Sequence, residues 1–286
     1  MRQWFTGLAP RRRALVLSLL AMVLAATGLA TSIVLSGHRS PVRNLGGVEG
    51  PSRPNQLGTP PAGQPGPVVL VPGYGGGRGG LLRLAARIRA TGRSAVVITL
   101  PGDGTGDLAA QAKALQSAVA RELAAGAPSV DVIGYSAGGV VARLWMADDG
   151  GAAEVRRVIS LGSPLHGADL AAVGQAFAPG ACPIACQQLA PGSSLLSRLD
   201  ALPLAGAGWM SIWTTDDKTV DPPDSARLAG AVNVVAQSVC PDATISHGQL
   251  PTDPLITGIV LRAIGAGPLT APTAADCAAL RDSGAG

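Results

Sequence analysis

A serine within a glycine-rich turn is the residue in this sequence whose surroundings point most clearly to chemistry. The motif G-x-S-x-G occupies residues 134–138, with Ser136 at its centre. It follows an apolar run at residues 130–133 that predicts a buried strand, and it opens a segment that predicts a helix. Such a turn lifts the serine hydroxyl above the carboxyl end of a sheet. Although the motif alone is common by chance in a chain with 39 glycines, this context favours a nucleophile over a turn without chemistry.

A serine hydroxyl becomes an effective nucleophile only when a base removes its proton, and histidine is the usual base. The chain has three histidines. His38 lies in a Pro- and Gly-rich segment near the N-terminus and is set aside, whereas His166 and His247 each come after a predicted strand. The usual chain order around such a turn is serine, acid, histidine, with the histidine after the final strand. This order selects His247 as the base and leaves His166 a supporting role by hydrogen bonding.

The base needs an acidic partner that holds it in the correct tautomer. Three carboxylates compete for this role after the strand predicted at residues 209–213, namely Asp216, Asp217 and Asp221. Asp217 fits best because the pattern Asp-x-x-Val-x-Pro places its carboxylate at a turn while Val220 packs inward. Asp216 is a serious alternative and Asp221 a minor one, and a carboxylate without this role would be a solvated turn residue or a helix cap.

Acyl chemistry at a serine also needs backbone N–H groups that bind the developing oxyanion. One donor is expected from the residue after the nucleophile, Ala137. The second is expected from the loop at residues 72–77, after the first predicted strand, and Tyr74 is the predicted donor through its backbone N–H rather than its hydroxyl. Glycines in that loop allow the backbone to approach a substrate closely. A phosphate-binding role for the loop is disfavoured because no Lys-Ser or Lys-Thr pair follows it.

Strands and helices that could position these residues alternate along the chain. The predicted strands are residues 68–71, 95–100, 130–133, 155–161, 209–213 and 232–236. The predicted helices are residues 81–90, 108–125, 139–147, 224–228 and 254–264. Continuous apolar strands alternating with helices predict an α/β fold with a mostly parallel six-stranded sheet and helices on both faces. Residues 167–208 are too many for a plain connection and predict a cap insertion after the strand at 155–161.

The N-terminal region predicts export from the cytoplasm. Three arginines at residues 11–13 precede residues 14–36, which carry no charge and are about as long as a bilayer-spanning helix. The basic flank predicts that the rest of the chain lies outside the cytoplasm, so residues 1–36 are a signal peptide or a membrane anchor. Residues 37–66 are rich in Pro and Gly and predict a linker. The predicted catalytic domain follows at residues 67–267, with its cap at about 167–208. Residues 268–286 form a C-terminal tail.

The four cysteines, Cys182, Cys186, Cys240 and Cys277, all lie in the predicted exported part. An even count in an oxidising compartment favours two disulfides. Three pairings are formally open, and we expect Cys182–Cys186 as a local loop and Cys240–Cys277 as a clamp on the tail. A zinc site is disfavoured because no histidine accompanies the cysteines at the usual spacing.

The motifs at residues 71–76, 134–139, 161–164, 217–222 and 246–247 together resemble those of secreted bacterial lipases and esterases, the small triacylglycerol-lipase-like group of the α/β-hydrolase superfamily. The resemblance spans roughly residues 67–267. It implies an α/β-hydrolase fold and hydrolysis of carboxylic esters through a Ser136–Asp217–His247 triad and an acyl-enzyme, without cofactor or metal. Two positions depart from the group: Pro72 stands where many relatives have histidine, and Leu165 where relatives often have a polar residue.

Two other functions, an acyltransferase and a non-catalytic binding protein, are alternatives to ester hydrolysis. A cell-envelope acyltransferase would use the same triad with an alcohol in place of water, and a membrane-attached binding protein would need no triad at all. Nucleic acid is not an expected partner, because the net charge of +4 comes with no basic cluster beyond residues 11–13. The expected partners are an ester or lipid substrate and, if the N-terminal segment is uncleaved, the membrane. The protein is expected to be a monomer, secreted or anchored on the outer face of the cytoplasmic membrane.

Overall fold

The computed structural model of the protein describes residues 64–169, 182–204 and 206–286. The predicted signal or anchor at residues 1–36 and nearly all of the predicted linker lie outside the described residues. Within the described ranges, no helix combines the length and the apolar character that crossing a membrane requires.

Six parallel strands form one sheet at the centre of the described domain. They are β1 (Val68–Val71), β2 (Ala95–Val97), β3 (Val130–Tyr135), β4 (Val155–Leu161), β5 (Gly208–Trp213) and β6 (Val232–Val235). Their order across the sheet is β2-β1-β3-β4-β5-β6, and every neighbouring pair is parallel. The predicted six-stranded sheet is therefore confirmed. Because all strands run the same way, the loops that follow β1, β3 and β5 emerge at one edge, where residues from distant parts of the sequence can meet.

Helices cover both faces of this sheet, as the alternating pattern predicts. They are α1 (Gly79–Ala90), α2 (Leu108–Ala124), α3 (Ala137–Asp148), α4 (Ile184–Gln188), α5 (Ser194–Asp200), α6 (Ala236–Val239), α7 (Pro254–Ala263) and α8 (Cys277–Ala285). One apolar core packs α1 and α7 against the sheet, and a second packs α2 and α3 against the opposite face. The helix predicted at residues 224–228 is a short 3₁₀ turn at Pro223–Ala226.

The C-terminal segment ends in a helix that the sequence analysis did not anticipate. α8 packs directly against α7, and two glycines bring the backbones into contact: a Cβ on Gly258 would overlap the carbonyl of Leu280, and a Cβ on Gly284 would overlap the carbonyl of Pro254. A disulfide joins Cys277, the first residue of α8, to Cys240. The expected Cys240–Cys277 pairing is therefore confirmed, and it links α8 to the segment that precedes His247.

Two short helices, α4 and α5, lie within the predicted cap region. A disulfide between Cys182 and Cys186 closes the first of them, as expected. The side chain of Gln188 fixes this helix to the start of α2, because its Nε2 donates to Asp107 Oδ1 over 2.7 Å and its Oε1 accepts from the N–H of Leu108 over 2.8 Å. The described part of the predicted cap region is thus attached to the sheet domain by polar contacts, whereas its disulfide closes a loop within the region itself.

At the opposite edge of the sheet, a buried carboxylate organises arginines from two elements. Asp131, near the start of β3, accepts hydrogen bonds from two nitrogens of Arg156 on β4 and pairs with Arg93 at 2.9 Å. Arg156 and Arg93 also donate to the carbonyl of Ile264, just beyond α7. This cluster pairs buried charges at the edge away from Ser136, so removal of one partner would leave a buried charge uncompensated.

Candidate active site

Ser136 occupies the tight turn between β3 and α3. Its φ of 53° is the only positive φ of a non-glycine residue within the described ranges. L-residues adopt this region rarely, and a nucleophile turn of this type requires it. The N–H of Ser136 donates to the carbonyl of Leu161 at the end of β4 over 2.8 Å, which fixes the turn to the sheet. The strand–turn–helix context predicted for Ser136 is therefore present.

Crowding around the turn explains the glycines of the motif. A Cβ on Gly134 would lie 2.5 Å from the carbonyl oxygen of Gly138, and a Cβ on Gly138 would overlap the carbonyl of Val71. A Cβ on Gly73, in the loop after β1, would lie 2.8 Å from Ser136 Cβ and 3.4 Å from Ser136 Oγ. The loop after β1 thus passes directly beside the serine.

Asp217 and His247 form a buried hydrogen-bonded pair. His247 Nδ1 lies 2.7 Å from Asp217 Oδ2, and the two residues are 8% and 1% exposed. Asp217 Oδ1 accepts two further hydrogen bonds, each of 2.9 Å, from the N–H groups of Thr219 and Val220. Burial by itself would raise the pKa of Asp217, but the hydrogen bond from His247 and those from the two backbone N–H groups outweigh it and lower the pKa below 3.8. The carboxylate is therefore ionised and accepts the Nδ1 proton, which leaves the lone pair on Nε2.

The other two carboxylates take different partners. Asp216 Oδ2 accepts from the N–H of Ile245 and from Gln237 Nε2, both over 3.3 Å, so it holds the loop that carries His247 without touching the imidazole. Asp221 uses its backbone carbonyl to accept from the N–H of Asp169 over 2.8 Å. Of the three carboxylates that the sequence left open, Asp217 is the one that the structure brings to His247.

Ser136 and His247 lie at the same edge of the sheet, close to a shared neighbour. The ring of Tyr135, the residue before the serine, lies 5.1 Å from the imidazole, centroid to centroid. Ser136 Oγ makes no hydrogen bond within the described part of the chain. Serine–histidine hydrogen bonds often tighten only when a substrate binds, so this geometry is compatible with a nucleophile and its base.

The two predicted oxyanion donors flank the serine. Ala137 is the first residue of α3, where a backbone N–H has no acceptor within its own helix. Tyr74 follows Gly73 in the loop beside Ser136, and its N–H donates to no acceptor in the described residues. Its side chain is 45% exposed, as expected for a residue that would contribute through its backbone. Their use as donors remains a prediction.

His166 lies outside this group and has a structural role. Its Nδ1 lies 3.0 Å from the carboxylate of Asp200 at the end of α5, and its Nε2 lies 2.9 Å from the carbonyl oxygen of Arg227. Arg143 of α3 donates to the same carboxylate over 2.9 Å. His166 therefore connects α5, in the predicted cap region, to the segment between β5 and β6, in line with the supporting role expected for it.

The cysteines do not form a metal site. In the part of the chain that the structure describes, one group of potential metal ligands comes together: Cys240, Asp242 and Cys277. Both sulfur atoms of that group belong to the disulfide, so no thiolate is available to bind an ion.

Comparison with known proteins places the chain among enzymes of one superfamily. Residues 68–282 match the model of the family described as "Alpha/beta hydrolase family". Lipase B of Aspergillus fumigatus superposes with a TM-score of 0.61 at 18% identity, over 76% of this chain and 56% of the fungal chain. The mature lipase BlEst2 of Bacillus licheniformis superposes with a TM-score of 0.51 at 20% identity, over 60% of this chain and 82% of the bacterial one. No curated protein matches the sequence significantly. The chain thus spans little more than half the length of the fungal lipase, and at these identities the likeness is one of fold.

Proposed function

The chain belongs to the alpha/beta hydrolase family, and we propose that it is a carboxylic ester hydrolase of the lipase or esterase type. The observation that carries the proposal is the buried 2.7 Å hydrogen bond between Asp217 and His247 at the sheet edge where Ser136 sits in a strained turn. A strained serine, a histidine and an ionised carboxylate in this chain order are the parts that acyl transfer through a covalent intermediate requires.

In the proposed reaction, His247 Nε2 takes the proton of Ser136 as the serine oxygen attacks the ester carbonyl. The N–H groups of Ala137 and Tyr74 bind the oxyanion of the tetrahedral intermediate. The proton then passes from His247 to the leaving alcohol, and the acyl group stays on the serine. In the second step His247 takes a proton from water as the water oxygen attacks the acyl carbonyl; the bond from the acyl carbon to Ser136 Oγ then breaks, His247 returns the proton to Ser136 Oγ, and the acid leaves. Asp217 orients the imidazole and stabilises its charged form in both steps.

Location and substrate belong to the same proposal. We propose that residues 1–36 direct export, as signal peptide or anchor, and that the exported domain acts as a monomer on an ester or lipid outside the cytoplasm. The two disulfides support this location, because disulfides form and persist in the oxidising environment outside the cytoplasm. A truncated protein that begins at residue 63 should keep the activity, because everything assigned to catalysis lies beyond that point.

The proposal is tested with a panel of p-nitrophenyl esters of increasing acyl length, assayed with the wild type, Ser136→Ala and Ser129→Ala. Ser129 directly precedes β3, at the end of the strand away from Ser136, and its buried hydroxyl makes no hydrogen bond to any described residue, so it is a matched serine away from the site. Ser136→Ala should lower turnover by several orders of magnitude, whereas Ser129→Ala should keep it. Equal activity of the three proteins would refute the assignment. With an acceptor alcohol present, ester product in excess of free acid would identify an acyltransferase instead.

A further inference from the structure

We infer that Tyr135, the residue before the nucleophile, is a positioning residue for His247, an inference that rests on the proposed triad. Two contacts join these residues, which are 112 positions apart in the sequence. The hydroxyl of Tyr135 donates to the backbone carbonyl of His247 over 3.2 Å. The two rings lie 5.1 Å apart, with 33° between their planes.

The position of Tyr135 makes it suited to this role. It is the last residue of β3 and pairs with Leu161 of β4, so its backbone is fixed by the sheet up to the turn that carries Ser136. Its side chain packs against the core that α1 and α7 share. Tyr135 therefore links the end of the central strand to both residues. Its backbone leads directly into Ser136, and its side chain contacts the ring and the carbonyl of His247.

His247 needs such support because its own segment contains no strand. It begins a single 3₁₀ turn at His247–Gln249, capped by Ser246 and Gln249. Asp217 bonds to the imidazole and Asp216 accepts from the N–H of Ile245, two residues earlier, while within the turn the N–H of Leu250 donates to the carbonyl of His247 over 3.2 Å. The hydroxyl of Tyr135 is the contact that ties the carbonyl of His247 to the sheet.

The Tyr135 hydroxyl remains a donor under working conditions. Burial, and to a smaller extent the negative charge of Asp217, raises the pKa of Tyr135 to about 12. The carbonyl of His247 can only accept, so a neutral hydroxyl is what this hydrogen bond requires. The bond therefore persists while the imidazole gains and loses protons during turnover.

Gly162, directly after the neighbouring strand β4, lies beside the Asp217–His247 hydrogen bond. Gly162 follows Leu161, the partner of Tyr135, and adopts a φ of 53°. A Cβ at this position would lie 3.2 Å from both Asp217 Oδ2 and His247 Nδ1 and would overlap a methyl group of Leu250. The ends of β3 and β4 thus both shape the space in which the Asp217–His247 hydrogen bond forms.

The test compares Tyr135→Phe and Tyr135→Leu with Ser160→Ala. Ser160 is the matched control because it lies on β4 and loses a buried hydroxyl that bonds to Ser211 and Trp209, away from the triad. The readouts are kcat and KM for p-nitrophenyl butyrate and the downfield proton resonance of the His247 Nδ1–H group. Tyr135→Phe should lower kcat about three- to tenfold with KM nearly unchanged, as loss of one hydrogen bond predicts. Tyr135→Leu, which also lacks the ring, should lose more, and both variants should shift the resonance.

Ser160→Ala should keep both the wild-type kcat and the wild-type resonance even if its melting temperature falls. Wild-type kcat and an unchanged resonance in Tyr135→Phe would overturn the inference, and this conservative variant decides the matter should Tyr135→Leu fail to fold. If the wild type hydrolyses no ester, the proposed function fails. If the wild type is active and the Tyr135 variants match it, the positioning role alone fails.

Discussion

Replacing Cys240 and Cys277 with serine is expected to lower stability more than replacing Cys182 and Cys186. A disulfide limits the freedom of the unfolded chain, and the effect grows with the length of the closed loop. The first pair is separated by 37 residues and the second by 4. The chain-entropy relation gives about 3.8 kcal/mol for the longer loop and about 1.9 kcal/mol for the shorter one at 25 °C.

The difference of about 2 kcal/mol translates into a measurable change in melting temperature. For a domain of this size, each kcal/mol shifts Tm by about 2 to 4 °C. The Cys240→Ser/Cys277→Ser variant should therefore melt about 4 to 8 °C below the Cys182→Ser/Cys186→Ser variant, which serves as the matched double substitution. Differential scanning calorimetry of both proteins and the wild type, without reductant, measures this order.

Equal losses, or a larger loss in the Cys182→Ser/Cys186→Ser variant, would refute the loop-closure reasoning. Such a result would mean that the contacts between α7 and α8 hold the C-terminal helix in place without the cross-link. It would also mean that the cap disulfide contributes to the native state beyond closing a short loop.

Four further substitutions test the candidate site and its framework. Asp217→Asn should lower kcat about 10³- to 10⁴-fold, whereas Asp216→Asn should cost far less, and steady-state kinetics compare them. Because the pKa of Asp217 is lowered in the folded protein, its ionised form stabilises the fold above pH about 4, and this contribution is lost as the pH falls. The difference in unfolding free energy between wild type and Asp217→Asn, measured in urea melts, should therefore become smaller below that pH. A difference that stays constant with pH would contradict the direction of the pKa shift. Gly162→Ala should reduce both stability and kcat, since its φ of 53° and the nearby Asp217–His247 bond leave no room for a methyl group; a fully active variant would contradict this packing. Asp131→Asn should destabilise the protein by about 3–5 kcal/mol in urea melts, because the buried guanidinium of Arg156 would no longer face a carboxylate, with kcat retained in the folded fraction.

The sequence predicted the site where local pattern and chain order are sufficient. Ser136 could be proposed as the nucleophile because strand, turn and helix are contiguous, and His247 as its base because it is one of three histidines and follows the final predicted strand. The choice between Asp216 and Asp217 could not be settled, since neighbouring residues in a turn point in different directions. In the structure Asp217 is the carboxylate that hydrogen-bonds to His247, and its role as the acid stays a prediction.

The features that sequence reasoning missed all depend on contacts between distant segments. Tyr135 occupies a variable position of the serine motif, and nothing local indicates that its hydroxyl reaches His247. Gly162 lies in the motif at residues 161–164, but its closeness to the Asp217–His247 bond follows from the pairing of strands and could not be predicted from that motif. The helix α8 has few buried side chains, so its weak apolar pattern did not predict a helix packed by glycine contacts.

The most direct test of the account is covalent labelling with a fluorophosphonate, followed by mass spectrometry of the digested protein. Such a probe reacts with a serine that a neighbouring base has activated. We predict a single modification at Ser136 in the wild type, no modification in Ser136→Ala, and strongly slowed labelling in Asp217→Asn. A label on another serine, or hydrolysis of esters by a wild-type protein that takes no label at Ser136, would contradict the account.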